Sequence, residues 1–265
     1  MKSERPAGKV FFVGSGPGDP ELITVRGRRL LEEAHLVVYA GSLVKERVLL
    51  YCRPEALVRN SASMTLGEIV DLMAAAALDG KLVVRLHSGD PTFYSAMGEQ
   101  AAALAERGVP CEVVPGVSSA FASAARLRRE LTLPGLTQTI ILTRMAGRTP
   151  VPEAESLRSL AAHNATMCIF LSVAMIDDVA GELMAGGLAP ETPVAVVHRA
   201  TWEDELVVEG RLDEIASKVK EAGITRQAMI IVGRVLAARG AEASRLYDPA
   251  FGHGWRAGAE PGGRE

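Results

Sequence analysis

The stretch Val10-Phe11-Phe12-Val13-Gly14-Ser15-Gly16-Pro17-Gly18-Asp19-Pro20 decides the fold. Four apolar residues run directly into a glycine-rich turn. A short continuous apolar run predicts a strand buried on both faces, as in a parallel sheet. The glycines that follow let the backbone approach a ligand or turn sharply into a helix. The same order recurs. Apolar runs at Leu36–Tyr39, Leu82–Leu86 and Glu112–Val114 alternate with helical patterns. Leu66, Ile69, Val70, Met73 and Ala77 fall on one helix face, as do Met97, Ala101, Leu104 and Ala105 before the C-capping Gly108. Strand–helix alternation of this kind predicts an α/β fold with a parallel sheet.

The rhythm changes at Pro115-Gly116, where the small residues Val117–Ala125 predict a helix between two halves. Beyond it, strands are expected at Thr139–Leu142, Met167–Leu171, Val194–Val197, Leu206–Val208 and Met229–Val232. Helices are expected at Glu153–Ala162, Asp177–Ala185 and Arg211–Glu221, with a hairpin around Ala200–Glu205. This gives an N-terminal domain over 1–115 with a mostly parallel sheet and a C-terminal domain over 116–240 with a mixed sheet. A flexible tail is expected at 241–265, where Gly, Ala and charge dominate.

Composition narrows the function. The 265 residues are 48% hydrophobic and 23% charged, ordinary for a soluble globular chain. A net charge of −3 argues against a general nucleic-acid binder, which carries a basic excess. No apolar run reaches the roughly 18 residues of a membrane span, and the first residues do not read as a signal peptide. Cys52, Cys111 and Cys168 are too far apart for a CxxC pair and suit reduced thiols in a cytoplasmic protein. No HExxH or paired-histidine helix occurs, so no metal site is expected.

Three loops carry the chemistry. In the first, the spacing is GxGxG, and Asp19 stands where the last glycine of a dinucleotide fingerprint belongs. Pro17 removes an amide donor and Asp19 repels an anion, so the loop suits a neutral or cationic ligand; a tight turn alone is the competing reading. The second, Ser88-Gly89-Asp90-Pro91-Thr92, adds a carboxylate at another strand end, where open α/β sheets bind ligands. Asp90 or Thr92 as a helix N-cap is the alternative. The third, Val114-Pro115-Gly116-Val117-Ser118-Ser119-Ala120, offers hydroxyls that donate to a ligand or cap a helix.

Taken together, VGSGPGDPELIT (13–24), SGDPTFYS (88–95), PGVSSA (115–120) and AMIIVGRV (228–235) resemble the tetrapyrrole methylases in order and spacing. These are S-adenosylmethionine-dependent enzymes that methylate the macrocycle on the way to cobalamin and sirohaem. The resemblance covers about residues 9–237. YAGSLV (39–44) and LTLPGLTQTIILTRMAGRTPVPE (131–153) look like the branch that methylates precorrin-4, or its cobalt form, at C11. A sister enzyme acting on another ring position is the alternative.

The resemblance implies two α/β domains, the cofactor S-adenosyl-L-methionine in the cleft between them, and a homodimer acting on a small-molecule tetrapyrrole. It implies cofactor contacts at Pro17, Ser88, Gly89, Asp90, Phe93, Ser118, Ser119, Ser172, Ala200, Ala228 and Met229. A polycarboxylate ring calls for arginines, whose planar fork pairs bidentately with carboxylates. Arg144 and Arg148 are the candidates, with Tyr39 and Met145 as packing surfaces. The basic run Arg126, Arg128 and Arg129 reads as an exposed face. His87 and His198 titrate in the right range to move a proton, although a structural role is more common for such histidines; His198 and Arg144 are the catalytic candidates.

Overall fold

The computed structural model describes residues 8–238, 246 and 248–258. The chain forms two compact units, one of Met1–Arg126 with Arg199–Leu206, the other of Leu127–His198 with Val207–Glu265.

The first unit is built on a parallel sheet of β1 (Val10–Gly14), β2 (Leu36–Tyr39), β3 (Leu57–Asn60), β4 (Val83–His87) and β5 (Cys111–Val114). The strand order is β3-β2-β4-β1-β5. Helices α1 (Val25–Glu33), α2 (Leu66–Leu78), α3 (Met97–Ala105) and α4 (Ser119–Leu127) complete it. The central strands are mostly apolar because alternate residues feed two cores. Val10, Phe12, Val38 and Val83 meet Ile69, Val70 and Met73 of α2 and Leu104 of α3. Val13, Val37, Val84 and Leu86 meet Leu30 and Leu31 of α1. Each such buried side chain contributes about 1.5–3 kcal/mol. Thr65 and Glu68 close a capping box at the start of α2.

The second unit holds β6 (Ile140–Arg144), β7 (Thr166–Phe170), β8 (Pro193–His198), β9 (Leu206–Arg211) and β10 (Ala228–Val232), in the order β6-β7-β10-β8-β9. β6 and β7 are parallel, and β10 runs antiparallel to both β7 and β8. The expected mixed sheet is therefore present. Helices α5 (Leu157–Ala161), α6 (Ile176–Ala185) and α7 (Ile215–Glu221) cover it through Leu183, Ile215 and Val219 against Met167, Ile169, Val194, Val196 and Ile230.

Several local expectations need correction. The helix expected over Glu153–Ala162 breaks at Ser156, whose hydroxyl accepts from the Ser159 amide and starts α5. Arg211 ends β9, so α7 begins at Ile215, and Asp213-Glu214 precede the helix instead of forming its first turn. Leu66 and Ala105 are exposed, outside the buried faces of α2 and α3. Part of the expected flexible tail, 241–245, 247 and 259–265, lies outside the described residues. Within 246–258, Arg256 donates to the carbonyls of Leu246, Asp248 and Phe251 and ties a turn.

Candidate functional site

The three loops leave the carboxyl ends of β4, β1 and β5, which are neighbours in the first sheet. Gly16 and Gly89 exchange backbone hydrogen bonds at 3.3 and 2.8 Å, joining the first loop to the second. Gly14 and Gly116 meet across the same point. A Cβ on Gly116 would lie 2.1 Å from the Gly89 carbonyl oxygen and 2.8 Å from the Gly14 Cα. Glycine is required there because three backbones touch. At Gly89 a Cβ would make ordinary contacts, the nearest at 3.9 Å, but φ is +62°, a left-handed conformation that favours glycine.

Asp90 fixes this geometry. One carboxylate oxygen accepts from the Thr92 amide (2.8 Å) and hydroxyl, the other from the Gly116 amide (2.9 Å). Burial pushes its pKa up, but the bonds from Thr92 and Gly116 outweigh this and hold it below the usual carboxylate range. Asp90 is thus ionised at neutral pH, and among the described residues no cation pairs with it. Neither Asp90 nor Thr92 caps a helix, since α3 starts at Met97 with Ala96 at its N-cap; Asp90 instead closes a turn onto Thr92 and binds in the third loop.

The remaining first-unit candidates lie around this cluster. Ser88 and Phe93 are half-buried, and the Phe93 ring centroid is 4.2 Å from that of Tyr94. The Ser118 hydroxyl accepts from the Ala120 amide, while Ser119 is the first residue of α4. Pro17 is buried, and its carbonyl accepts from the Trp202 indole at 2.9 Å. Trp202 belongs to a strap, residues 199–206, that the sequence reading took only as a hairpin turn. Thr201 Oγ1 accepts from the Asp19 amide at 2.9 Å, and Arg126 pairs with Glu205. Arg126, expected on a merely exposed face, therefore anchors the strap. Ala200 is buried within it. Gly18 admits the indole; a Cβ there would lie 2.1 Å from Trp202 Cδ1.

Two first-unit residues correct the sequence reading. Tyr39 is a core residue whose hydroxyl donates to Glu46 at 3.3 Å, so it offers no face for a macrocycle. His87 is buried at the end of β4; burial, and then the charge of Arg85, hold its pKa at about 3. It stays neutral near pH 7 and shuttles no proton there.

In the second unit, one rim collects the other candidates. The register places Arg144 beside Phe170, and Ala228 beside His198. Leu171 follows Phe170 with φ +56° and 65% exposure, and Arg199 and Gln227 also have positive φ. Such non-glycine strain gathers where the surrounding structure over-determines the backbone, commonly at functional rims. Ser172 is fully buried; its hydroxyl donates to the Phe170 carbonyl (2.7 Å) and accepts from the Met145 amide (2.9 Å). The hydroxyl is engaged internally and no part of the residue is exposed, so Ser172 braces the rim and meets no ligand directly. Met145 packs partly against the core, and Met229 is buried. Arg144 is corrected too: its guanidinium donates to the carbonyls of Met145, Thr149 and Pro150, closing its own loop. Arg148 is exposed on that loop.

Adjacent glycine turns around an ionised carboxylate that pairs with no cation among the described residues form an α/β small-molecule site suited to a cationic ligand and unlike a phosphate cradle. The chain belongs to the Tetrapyrrole (Corrin/Porphyrin) Methylases, whose family model matches residues 9–216. It is 54% identical over 248 residues to a cobalt-precorrin-4 C(11)-methyltransferase of Methanocaldococcus jannaschii, covering 94% of this chain and 96% of that one. A solved cobalt precorrin-4 methyltransferase superposes with a TM-score of 0.84 at 46% identity, over 86% of this chain and 95% of the other. Uroporphyrin-III C-methyl transferase of Thermus thermophilus, solved with S-adenosyl homocysteine, gives 0.73 at 34% identity, over 87% and 99%.

Proposed function

We propose that this protein transfers a methyl group from S-adenosyl-L-methionine to C11 of precorrin-4 or its cobalt form. The high identity to a relative named for that reaction, along nearly the whole of both chains, carries this reading. The donor set fits the cofactor. The ionised Asp90 suits a cation. Ser88, Gly89, Ser118, Ser119 and Pro17 on the first unit, with Ala200 on the strap, would hold it.

Bound S-adenosylmethionine supplies a methyl group on a sulfonium whose thioether leaves neutral, so the chain needs no acid to expel it. The chain's task is to hold and align two reactants. Orientation of this kind contributes up to about 7–11 kcal/mol in good cases. The loops suit it because Gly14, Gly89 and Gly116 are locked against one another. Neutral, buried His87 and the loop-bound Arg144 fit a supporting role. A homodimer in the cytoplasm belongs to the same reading, through the family. The test is calorimetric titration with S-adenosylhomocysteine, NAD and ATP. The account expects binding of the first alone; binding of NAD or ATP instead would overturn it.

A further inference from the structure

A second cluster on the first unit has no part in the cofactor set. Lys45, six residues beyond β2, is held within the unit, with only 18% of its side chain exposed. Its ammonium lies 5.4 Å from the centroid of the Trp202 ring and pairs with Glu203. Arg47 donates to the other oxygen of the same carboxylate at 2.6 Å. Two cations from one loop thus grip both oxygens of one carboxylate, the geometry in which carboxylates are recognised. The glutamate they grip is itself 66% exposed. An exposed ion pair holds weakly, and its partner exchanges readily.

The cluster borders an open depression of about 490 Å³, walled by Trp202, Tyr51 and Leu50. Trp202, Tyr51 and Leu50 are the apolar faces of a lining that is otherwise polar and charged, as an acidic ring edge would need. Its acidic lining residues, Asp19 and Glu21, lie on the glycine-loop side, where the Asp19 carboxylate accepts from the Glu21 amide. A lysine held with so little of its side chain exposed favours a carboxylate beside it.

We propose that Lys45 and Arg47 form the seat for a carboxylate arm of the tetrapyrrole, with Glu203 as its resident, displaceable occupant and Trp202 as the platform beside it. The inference rests on the tetrapyrrole reading above and adds to it the residues that receive an acidic arm. Glu203 is ionised at neutral pH, since its bonds to Lys45 and then Arg47 hold its carboxyl below the ordinary range. It therefore competes as a true carboxylate. A substrate arm gains affinity only by replacing it.

The probe is uroporphyrin, an octacarboxylate macrocycle, titrated into protein saturated with S-adenosylhomocysteine. The readout is fluorescence quenching in a Trp255→Phe background, which leaves Trp202 as the single tryptophan. Glu203→Gln is expected to bind uroporphyrin at least about threefold more tightly. Lys45→Met is expected to bind about tenfold more weakly, the loss of one hydrogen bond to a charged group, with Lys45→Arg restoring most of it. S-adenosylhomocysteine affinity stays unchanged throughout. With the natural substrate, both variants shift KM and leave kcat in place. Uroporphyrin affinities equal to wild type in both Glu203→Gln and Lys45→Met would overturn the proposal. So would a changed oligomeric state with unchanged uroporphyrin affinity, which would make this surface an interface between copies. Failure of the wild type to bind S-adenosylhomocysteine would instead strike the methylase reading, and the same uroporphyrin titration into unliganded protein would still score the seat.

Discussion

Replacing Asp90 by Asn removes one charge and keeps the shape. Asp90 accepts from Thr92 with one oxygen and from the Gly116 amide with the other. The asparagine oxygen can serve only one of these. With it turned to Thr92, the new amide group faces the Gly116 amide, donor against donor. The bond lost is one to a charged acceptor, worth about 1.5–3 kcal/mol. The site is half-buried, so water recovers part of this, and the expected loss of stability is about 2 kcal/mol. Urea denaturation at pH 7 measures it. The ligand effect separates charge from shape. S-adenosylmethionine carries a sulfonium that S-adenosylhomocysteine lacks, and a close charge pair in a partly wet site is worth about 1–4 kcal/mol. Asp90→Asn should therefore weaken the methyl donor at least about threefold more than the product, by calorimetry. The sign with pH follows from the lowered pKa. The stabilisation is present above the ordinary aspartate range and is lost as pH falls below about 4. Equal weakening of both ligands would refute the electrostatic role, and unchanged stability would refute the clamp.

Three further outcomes follow from other residues. His87 has a folded pKa of about 3, so the unfolded chain binds the proton first and stability falls as pH drops below about 6.5, by up to about 1.4 kcal/mol per unit. His87→Leu should flatten that slope between pH 6.5 and 4 in urea titrations; an unaltered slope would assign it to other groups. Gly18→Ala should cost about 1–3 kcal/mol and shift tryptophan emission, because the new Cβ would lie 2.1 Å from the Trp202 ring. Thr65→Ala removes the capping box of α2 and should cost about 1 kcal/mol by thermal or urea unfolding, against near-neutral behaviour for an uncapped helix.

The sequence was most legible where one force dominated. β1 and β2 are almost wholly apolar and buried because both faces are covered, and the runs at 10–13 and 36–39 mark them almost to the residue. β3 escaped because it is an edge strand with Leu57, Arg59 and Asn60 exposed, so it carries no such run. α1 escaped because Val25-Arg26-Gly27-Arg28-Arg29 looks polar and broken. In the structure Gly27 brings the helix onto β1, where a Cβ would lie 2.9 Å from Val13. The glycine loops announced themselves by spacing. The strap did not, because Thr201, Trp202 and Glu203 act on residues more than 150 positions away and leave no local pattern. Arg144 misled for a related reason: an arginine's partners are set by how its loop closes, and here three carbonyls of that loop take the guanidinium.

The most direct test of the central claim is turnover. The protein is incubated with methyl-labelled S-adenosylmethionine and enzymatically generated precorrin-4 or its cobalt form, and the label is located by mass spectrometry and NMR. The account predicts one new methyl group, at C11. Label at another ring position, or no transfer to either substrate by protein that binds S-adenosylhomocysteine, would contradict it.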